Sequence, residues 1–278
     1  MREIICGSYR LSLDRPLVMG IVNLTADSFS GDGLAADMRA AISHAEQQLR
    51  AGADILDIGA ESTRPGAIPA PVDVELSRLL PVLAEVRQWG VPISVDTYKP
   101  AVMRAVLAEG ASMINDIKGM VEVDALAAVA ASDCAVCIMH MQGDPGTMQS
   151  NPSYDDVLAD VRVFLAEALE RCIDHGLARE RLLVDPGFGF GKTLAHNLEL
   201  LRYLRESCPA DFPILAGLSR KSMLGAITGR EVGERLPASI AAALLAVQKG
   251  ASLVRVHDVA ATRDALAVLA ALEGVCGE

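Results

Sequence analysis

Side chains suited to acid–base and anion chemistry recur at one kind of place in this chain, directly after short apolar runs. In order they are Asn23, Glu61-Ser-Thr-Arg64, Asp96, Asn115-Asp116, His140, Asp185, Ser219-Arg-Lys-Ser222 and Arg255-Val-His-Asp258. Gathered in one cleft, the donors and cations Arg64, Lys221, Arg255 and His257 would focus field on an anionic ligand. Arg255 and His257 stand two apart at the end of a run, so they lean to the same side of a strand, and residues 219–222 can open a helix. Both features suit a phosphate or carboxylate. The carboxylates and amides (Asp96, Asp116, Asp185, Asn23, Asn115) ask for a different partner. A buried Asp prefers an array of N–H donors, such as the amino-pyrimidine edge of a pterin or purine. The plainer reading of Asp96, Asp116 and Ser222 is helix capping, and that of Asp185 is a loop residue ahead of Pro186.

The elements that would gather these groups are legible in the hydrophobic pattern. Eight short apolar runs, at 17–22, 55–58, 91–95, 112–114, 135–139, 182–184, 214–216 and 253–256, alternate with segments of helical period. Leu76, Leu79, Leu80, Leu83 and Val86 form one such segment, and Val157, Val161, Phe164, Leu165, Ala168 and Cys172 form another. Buried parallel strands separated by amphipathic helices make a βα repeat. Eight units in about 250 residues fit a closed (β/α)8 TIM barrel, an α/β fold whose strand C-termini all open on one face. Tyr9, Leu11 and Leu13 alternate with polar residues ahead of the first run and predict a short β-hairpin against the barrel floor. No Pro/Ser/Gly-rich linker divides residues 1–278, which read as one domain.

Composition removes several classes. Of 278 residues 51% are hydrophobic, and 25 Lys plus Arg against 36 Asp plus Glu leave a net charge of -11. A general nucleic-acid surface needs a basic face, so nucleic acid is not expected as a partner. No apolar run reaches the roughly 20 residues of a bilayer crossing, and residues 1–16 carry no h-region, so a cytoplasmic protein is expected. Six scattered cysteines read as reduced thiols. Cys134 and Cys137 have redox or zinc spacing, but residues three apart on a strand face opposite ways. They read as core residues. The five histidines lack metal-site spacing. Asp185-Pro-Gly-Phe-Gly-Phe-Gly-Lys192 is not a nucleotide P-loop, because Pro186 stands where a glycine is required. It reads as a loop that lets backbone approach a ligand, with Phe188 and Phe190 as stacking surfaces. The glycine-rich segment 23–33 reads as a surface loop or an active-site lid.

At these residues the sequence resembles the dihydropteroate synthases of the bacterial folate pathway. The matching stretches are Met19-Gly-Ile-Val-Asn-Leu-Thr25 with Asp27-Ser-Phe29, Gly59-Ala-Glu-Ser-Thr-Arg-Pro-Gly66, Ile93-Ser-Val-Asp-Thr97 and Ile114-Asn-Asp-Ile117. They continue with Met139-His-Met-Gln-Gly143, Leu183-Val-Asp-Pro-Gly-Phe-Gly-Phe-Gly-Lys192, Ser219-Arg-Lys-Ser-Met223 and Arg255-Val-His-Asp258. Two departures lie in the first loop: Ala26 replaces the family's usual Pro, and the acidic Asp32 is shifted by one position. Tyr98 stands where relatives often carry a small residue.

The resemblance implies a transferase that condenses 6-hydroxymethyl-7,8-dihydropterin diphosphate with p-aminobenzoate, giving 7,8-dihydropteroate and diphosphate. It implies that Asp96, Asn115, Asp185 and Lys221 hold the pterin with Met139 beside its ring, and that Asn23, Thr63, Arg255 and His257 hold the diphosphate. Asn23 would contact Mg2+. The p-aminobenzoate would lie near Arg64, Pro65, Phe190, Gly217 and Ser219, its carboxylate towards Ser222. Asp96, Asp185, Lys221, Arg255 and His257 would carry the catalysis, which is dissociative: diphosphate leaves before the aniline nitrogen attacks. A homodimer and sulfonamide binding are implied too. A non-catalytic pterin-binding paralogue and a methyltetrahydrofolate–corrinoid methyltransferase are the competing readings, the second disfavoured by the Arg255/His257 pair.

Overall fold

The computed structural model describes residues 3–24, 34–62, 66–272 and 274. Its first element is an antiparallel hairpin, β1 (Glu3–Cys6) with β2 (Tyr9–Ser12), as the alternation of Tyr9, Leu11 and Leu13 predicts. The eight apolar runs then become β3 (Leu17–Asn23), β4 (Ile55–Gly59), β5 (Ile93–Asp96), β6 (Met113–Asp116), β7 (Ala135–Met139), β8 (Leu182–Asp185), β9 (Leu215–Ala216) and β10 (Leu253–Val256). They pair in parallel in the order β8-β7-β6-β5-β4-β3-β10-β9. A bridge between Val184 and Ile214 joins the two ends, so the sheet is a nearly closed TIM barrel.

The helices are α1 (Leu34–Arg50), α2 (Val72–Val86), α3 (Pro100–Ala108), α4 (Val123–Ala130), α5 (Val157–Asp174), α6 (Leu194–Arg202), α7 (Ser222–Thr228), α8 (Leu236–Gln248) and α9 (Val259–Leu272). Local chemistry starts two of them. Asp156 caps α5 by accepting from the Leu158 and Ala159 N–H groups at 3.0 Å, and Thr193 and His196 form a reciprocal capping box on α6. The periodic residues turn inward as read: Leu79, Leu83 and Val86 of α2 are buried, as are Val161, Leu165, Ala168 and Cys172 of α5.

Strand alternation sorts the core into two clusters. Outward residues such as Val18, Leu56, Val95, Ile114, Val136, Val184 and Val254 pack under the helices. Inward residues Leu17, Met19, Ile55, Met113, Leu183, Leu215 and Leu253 meet Ile4 and Cys6 of the hairpin, which plugs the floor. Cys134 and Cys137 fall in different clusters, so the two thiols face opposite sides of the sheet at β7 and share no ligand. No helix among the described residues is long and apolar enough to cross a membrane.

Candidate active site

Two residues above the apolar floor, the inward positions of the same strands turn polar. Ile55 is followed by Asp57, Met113 by Asn115, Leu183 by Asp185 and Leu253 by Arg255, while on β5 the buried Ser94 is followed by Asp96. Strand register sets these groups at neighbouring heights: Asn23 pairs with Gly59, Gly59 with Asp96, Asp96 with Asn115, and Met139 with Asp185. A β-carbon at Gly59 would lie 3.8 Å from Asp96 Oδ2 and 3.9 Å from Asn23 Oδ1. One at Gly217, just beyond β9, would lie 3.7 Å from Asp185 Oδ2, 3.8 Å from Lys221 Nζ and 4.0 Å from Arg255 Cβ. The mouth therefore brings Asn23, Asp96, Asn115, Met139, Asp185, Gly217, Lys221 and Arg255 together around bare backbone.

Arg255 is the hub. Its Nε–H donates to Asp57 Oδ2 at 2.5 Å and its terminal nitrogen donates to Asp96 Oδ2 at 3.0 Å. Burial alone would disfavour its charge, yet Asp57 and Asp96 raise the guanidinium above its ordinary range. Burial, reinforced by the charge of Asp57, pushes the Asp96 carboxyl up to about 7 against the pull of Arg255. Burial likewise raises Asp185, whose Oδ1 accepts from the Gly187 N–H at 2.7 Å, and lowers the Lys221 ammonium to about 8. Perturbed groups packed this closely in a cleft mark a functional site rather than a stabilising one. Lys221 donates to the Phe188 carbonyl and lies 4.8 Å from the centre of the Phe190 ring, which makes one wall.

Beside this centre, the Ser219 hydroxyl lies 3.0 Å from His257 Nδ1 and accepts from the His257 N–H at 3.2 Å. Arg220 adopts a left-handed backbone, φ 57°, and pairs with Asp258 through two contacts of 3.0 and 2.6 Å. This strained, braced corner delivers Lys221 and the exposed Ser222 at the start of α7.

Three residues behave otherwise than the sequence suggests. Asp116 points away from the barrel axis and accepts from the Lys118 and Met120 N–H groups at 2.9 and 2.7 Å, so it ties the loop after β6 rather than capping α4, whose N-cap is Glu122. His140, one residue past the inward Met139, faces outward against Phe164, and its Nδ1 lies 2.8 Å from Lys192 Nζ. Phe188 is fully buried among the outer apolar residues and offers no stacking surface; Phe190 alone does. Gly187 and Gly191 of that loop serve packing of backbone on backbone. A β-carbon at Gly187, φ 72°, would lie 1.9 Å from the His140 carbonyl oxygen, and the Gly187 turn holds Asp185 in place. Sequence reasoning misses Asp57, because it sits inside an apolar run; a lone carboxylate within a buried strand is its only signal. Thr63, Arg64, Pro65, Ala26 and Asp32 lie outside the described residues.

For a divalent cation, the described residues hold no cluster of three or more His, Cys, Asp or Glu that could form a protein-only cage. Mg2+ commonly binds through substrate phosphates and one or two protein oxygens, and the half-buried Asn23 at the mouth has the donor type that arrangement needs.

Residues 19–257 match the family of pterin binding enzymes. The chain is 49% identical over 273 residues to the dihydropteroate synthase of Neisseria meningitidis serogroup B, with 96% of each chain covered. It superposes on the Burkholderia cenocepacia dihydropteroate synthase complexed with 7,8-dihydropteroate with a TM-score of 0.91 at 50% identity, covering 98% of this chain and 97% of the other. The Xanthomonas albilineans dihydropteroate synthase with 4-aminobenzoic acid gives a TM-score of 0.93 at 49% identity, covering 99% of each.

Proposed function

This chain belongs to the dihydropteroate synthases, a family of pterin binding enzymes, and from that premise we propose how its barrel mouth does the chemistry. The enzyme is a transferase that joins 6-hydroxymethyl-7,8-dihydropterin diphosphate to p-aminobenzoate, giving 7,8-dihydropteroate and diphosphate. One observation carries the assignment of roles: a ring of acceptors on β5, β6 and β8 closed by Lys221 and Arg255. Asp96, Asn115 and Asp185 would take the N–H edge of the pterin, with Met139 against its ring and Lys221 on an acceptor atom. Arg255 and His257 would face the diphosphate, together with Thr63. The p-aminobenzoate would lie between Phe190, Gly217 and Ser219, with Arg64 and Pro65 contributing to its site and its carboxylate towards Ser222.

The bond that breaks joins the pterin methylene to the diphosphate oxygen, and the electron pair leaves with diphosphate. The bond that forms joins that methylene carbon to the neutral aniline nitrogen, which then loses a proton. Charge therefore develops at two places, negative on the leaving group and positive in the ring. Arg255 and His257 would oppose the first, and Asp96 and Asp185 the second. A Mg2+ ion held at Asn23 would supply further charge neutralisation at the diphosphate.

The reading extends to a single pterin-binding domain over residues 1–278, working in the cytoplasm as a homodimer. Exposed Ile227, Leu236, Leu245, Val268 and Leu272 on α7, α8 and α9 support the dimer, and the described cysteines, all buried free thiols, support a reducing compartment. Incubating the protein with the pterin diphosphate, p-aminobenzoate and Mg2+ tests the whole. Dihydropteroate should form in step with diphosphate; pterin binding without product would indicate a non-catalytic paralogue, and methyl transfer from a reduced folate would indicate the corrinoid-linked relative.

A further inference from the structure

Asp57 is the least explained charge in the barrel. It is 0% exposed, and its neighbour two residues below on β4 is Ile55 of the apolar floor. Inward positions of such barrels are normally filled by branched apolar side chains, and burying a carboxylate is unfavourable unless its hydrogen bonds are made. Only one of its oxygens makes any. Oδ2 accepts from Arg255 Nε, whereas Oδ1 is fully buried and has no partner.

The other arm of the same guanidinium explains the unpaired oxygen. The Nε–H and one terminal NH2 of an arginine point the same way, and together they fit a carboxylate side-on through two parallel hydrogen bonds. In Arg255 the terminal nitrogen is turned instead to Asp96 Oδ2, at 3.0 Å. Asp96 is one of the carboxylates the heterocycle would need as an acceptor, and in this state its Oδ2 is already engaged by Arg255.

We propose that Asp57 is a positioning residue that gives Arg255 a second seat. When the heterocycle's N–H donors take Asp96, the planar guanidinium of Arg255 tilts about its Nε–H contact so that its terminal nitrogen reaches Asp57 Oδ1, completing the two-point pair already begun at Nε. Asp96 is freed without stranding a buried cation, and the guanidinium stays anchored beneath the leaving group. The inference rests on the pterin reading of the mouth.

The test uses 6-hydroxymethyl-7,8-dihydropterin, which lacks the diphosphate, so that binding is read without turnover. Asp57→Asn removes the second seat's charge and leaves Asp96 as the only carboxylate on Arg255. Its affinity for the dihydropterin should fall on the order of tenfold by calorimetry, as expected for loss of a charged hydrogen bond. In an Arg255→Met background the same change should alter affinity less than about twofold, because Asp57 acts through Arg255. Equal affinity of wild type and Asp57→Asn, or the same loss in both backgrounds, overturns the proposal. The wild-type protein labelled with 15N-arginine supplies a second measurement, one that leaves Asp57 in place. The Arg255 Nε–H signal, identified by its loss in Arg255→Lys, should be protected from exchange with and without the dihydropterin. Loss of that protection on binding means Asp57 lets go and overturns the proposal. Failure of the wild type to bind dihydropterin at all would instead overturn the reading of the mouth, and this inference with it.

Discussion

The floor and the mouth of this barrel are built from the same strands and on β4, β6, β8 and β10 lie only two residues apart. At the floor, Leu17, Ile55, Met113, Leu183, Leu215 and Leu253 close on Ile4 and Cys6 of the hairpin. One inward step higher the strands carry Asp57, Asn115, Asp185 and Arg255, groups whose burial costs free energy. The floor gains stability from every contact, and the mouth gives part of it up to hold charges ready for a ligand. This division separates what a substitution does to folding from what it does to chemistry.

Arg255 is where the division fails, so its removal should have the largest effect. Arg255→Ala leaves Asp57 and Asp96 facing each other without their common cation and, on the proposed mechanism, strips one contact from the developing diphosphate charge. Turnover should drop by roughly a hundredfold or more, and stability by about 3 kcal/mol in denaturant unfolding. A variant with wild-type turnover would remove Arg255 from the chemistry. At the floor, Leu183→Ala should cost about 3 kcal/mol of stability and leave the KM for both substrates unchanged. A floor variant that shifts KM would show the two levels to be coupled.

The smallest effect is the pH dependence of pterin affinity. With Asp96 raised to about 7 in the free protein, a ligand that needs the carboxylate must displace its proton below that pH. Dihydropterin affinity should fall about tenfold for each pH unit below this value and level off above it. The contribution of Asp96 to folding has the opposite sign. A raised carboxyl favours the folded state most below its ordinary range and loses that contribution as the pH rises through about 7. A calorimetric titration series that stays flat across neutrality would mean Asp96 does not meet the ligand as an anion.

Much of this is legible in the order of the residues alone. Each of the eight strands falls on an apolar run because a parallel strand buried on both faces must be apolar throughout. Asp96, Asn115, Asp185 and Lys221 stand out because they follow such runs, and Arg255 because His257 stands two residues beyond it on the same side; barrel strands end at the active face. The same rule misplaces His140 and Asp116, since the alternation of a strand sends one of two successive polar residues outward. Asp57 escapes it because it lies inside its run with only Gly59 two residues beyond it. Phe188 and Phe190 look alike in the sequence because aromatic positions in a glycine-rich loop can face core or cleft, and only the fold of Gly187 against His140 decides which.

If inward carboxylates at the mouth hold the heterocycle while the floor holds the fold, the two properties should come apart in Asp185→Asn. The amide keeps the shape of the side chain and can still accept from the Gly187 N–H. Measured side by side, dihydropterin affinity should fall by on the order of tenfold or more while the melting temperature stays at the wild-type value. Unchanged affinity in a folded Asp185→Asn protein would contradict that division of labour.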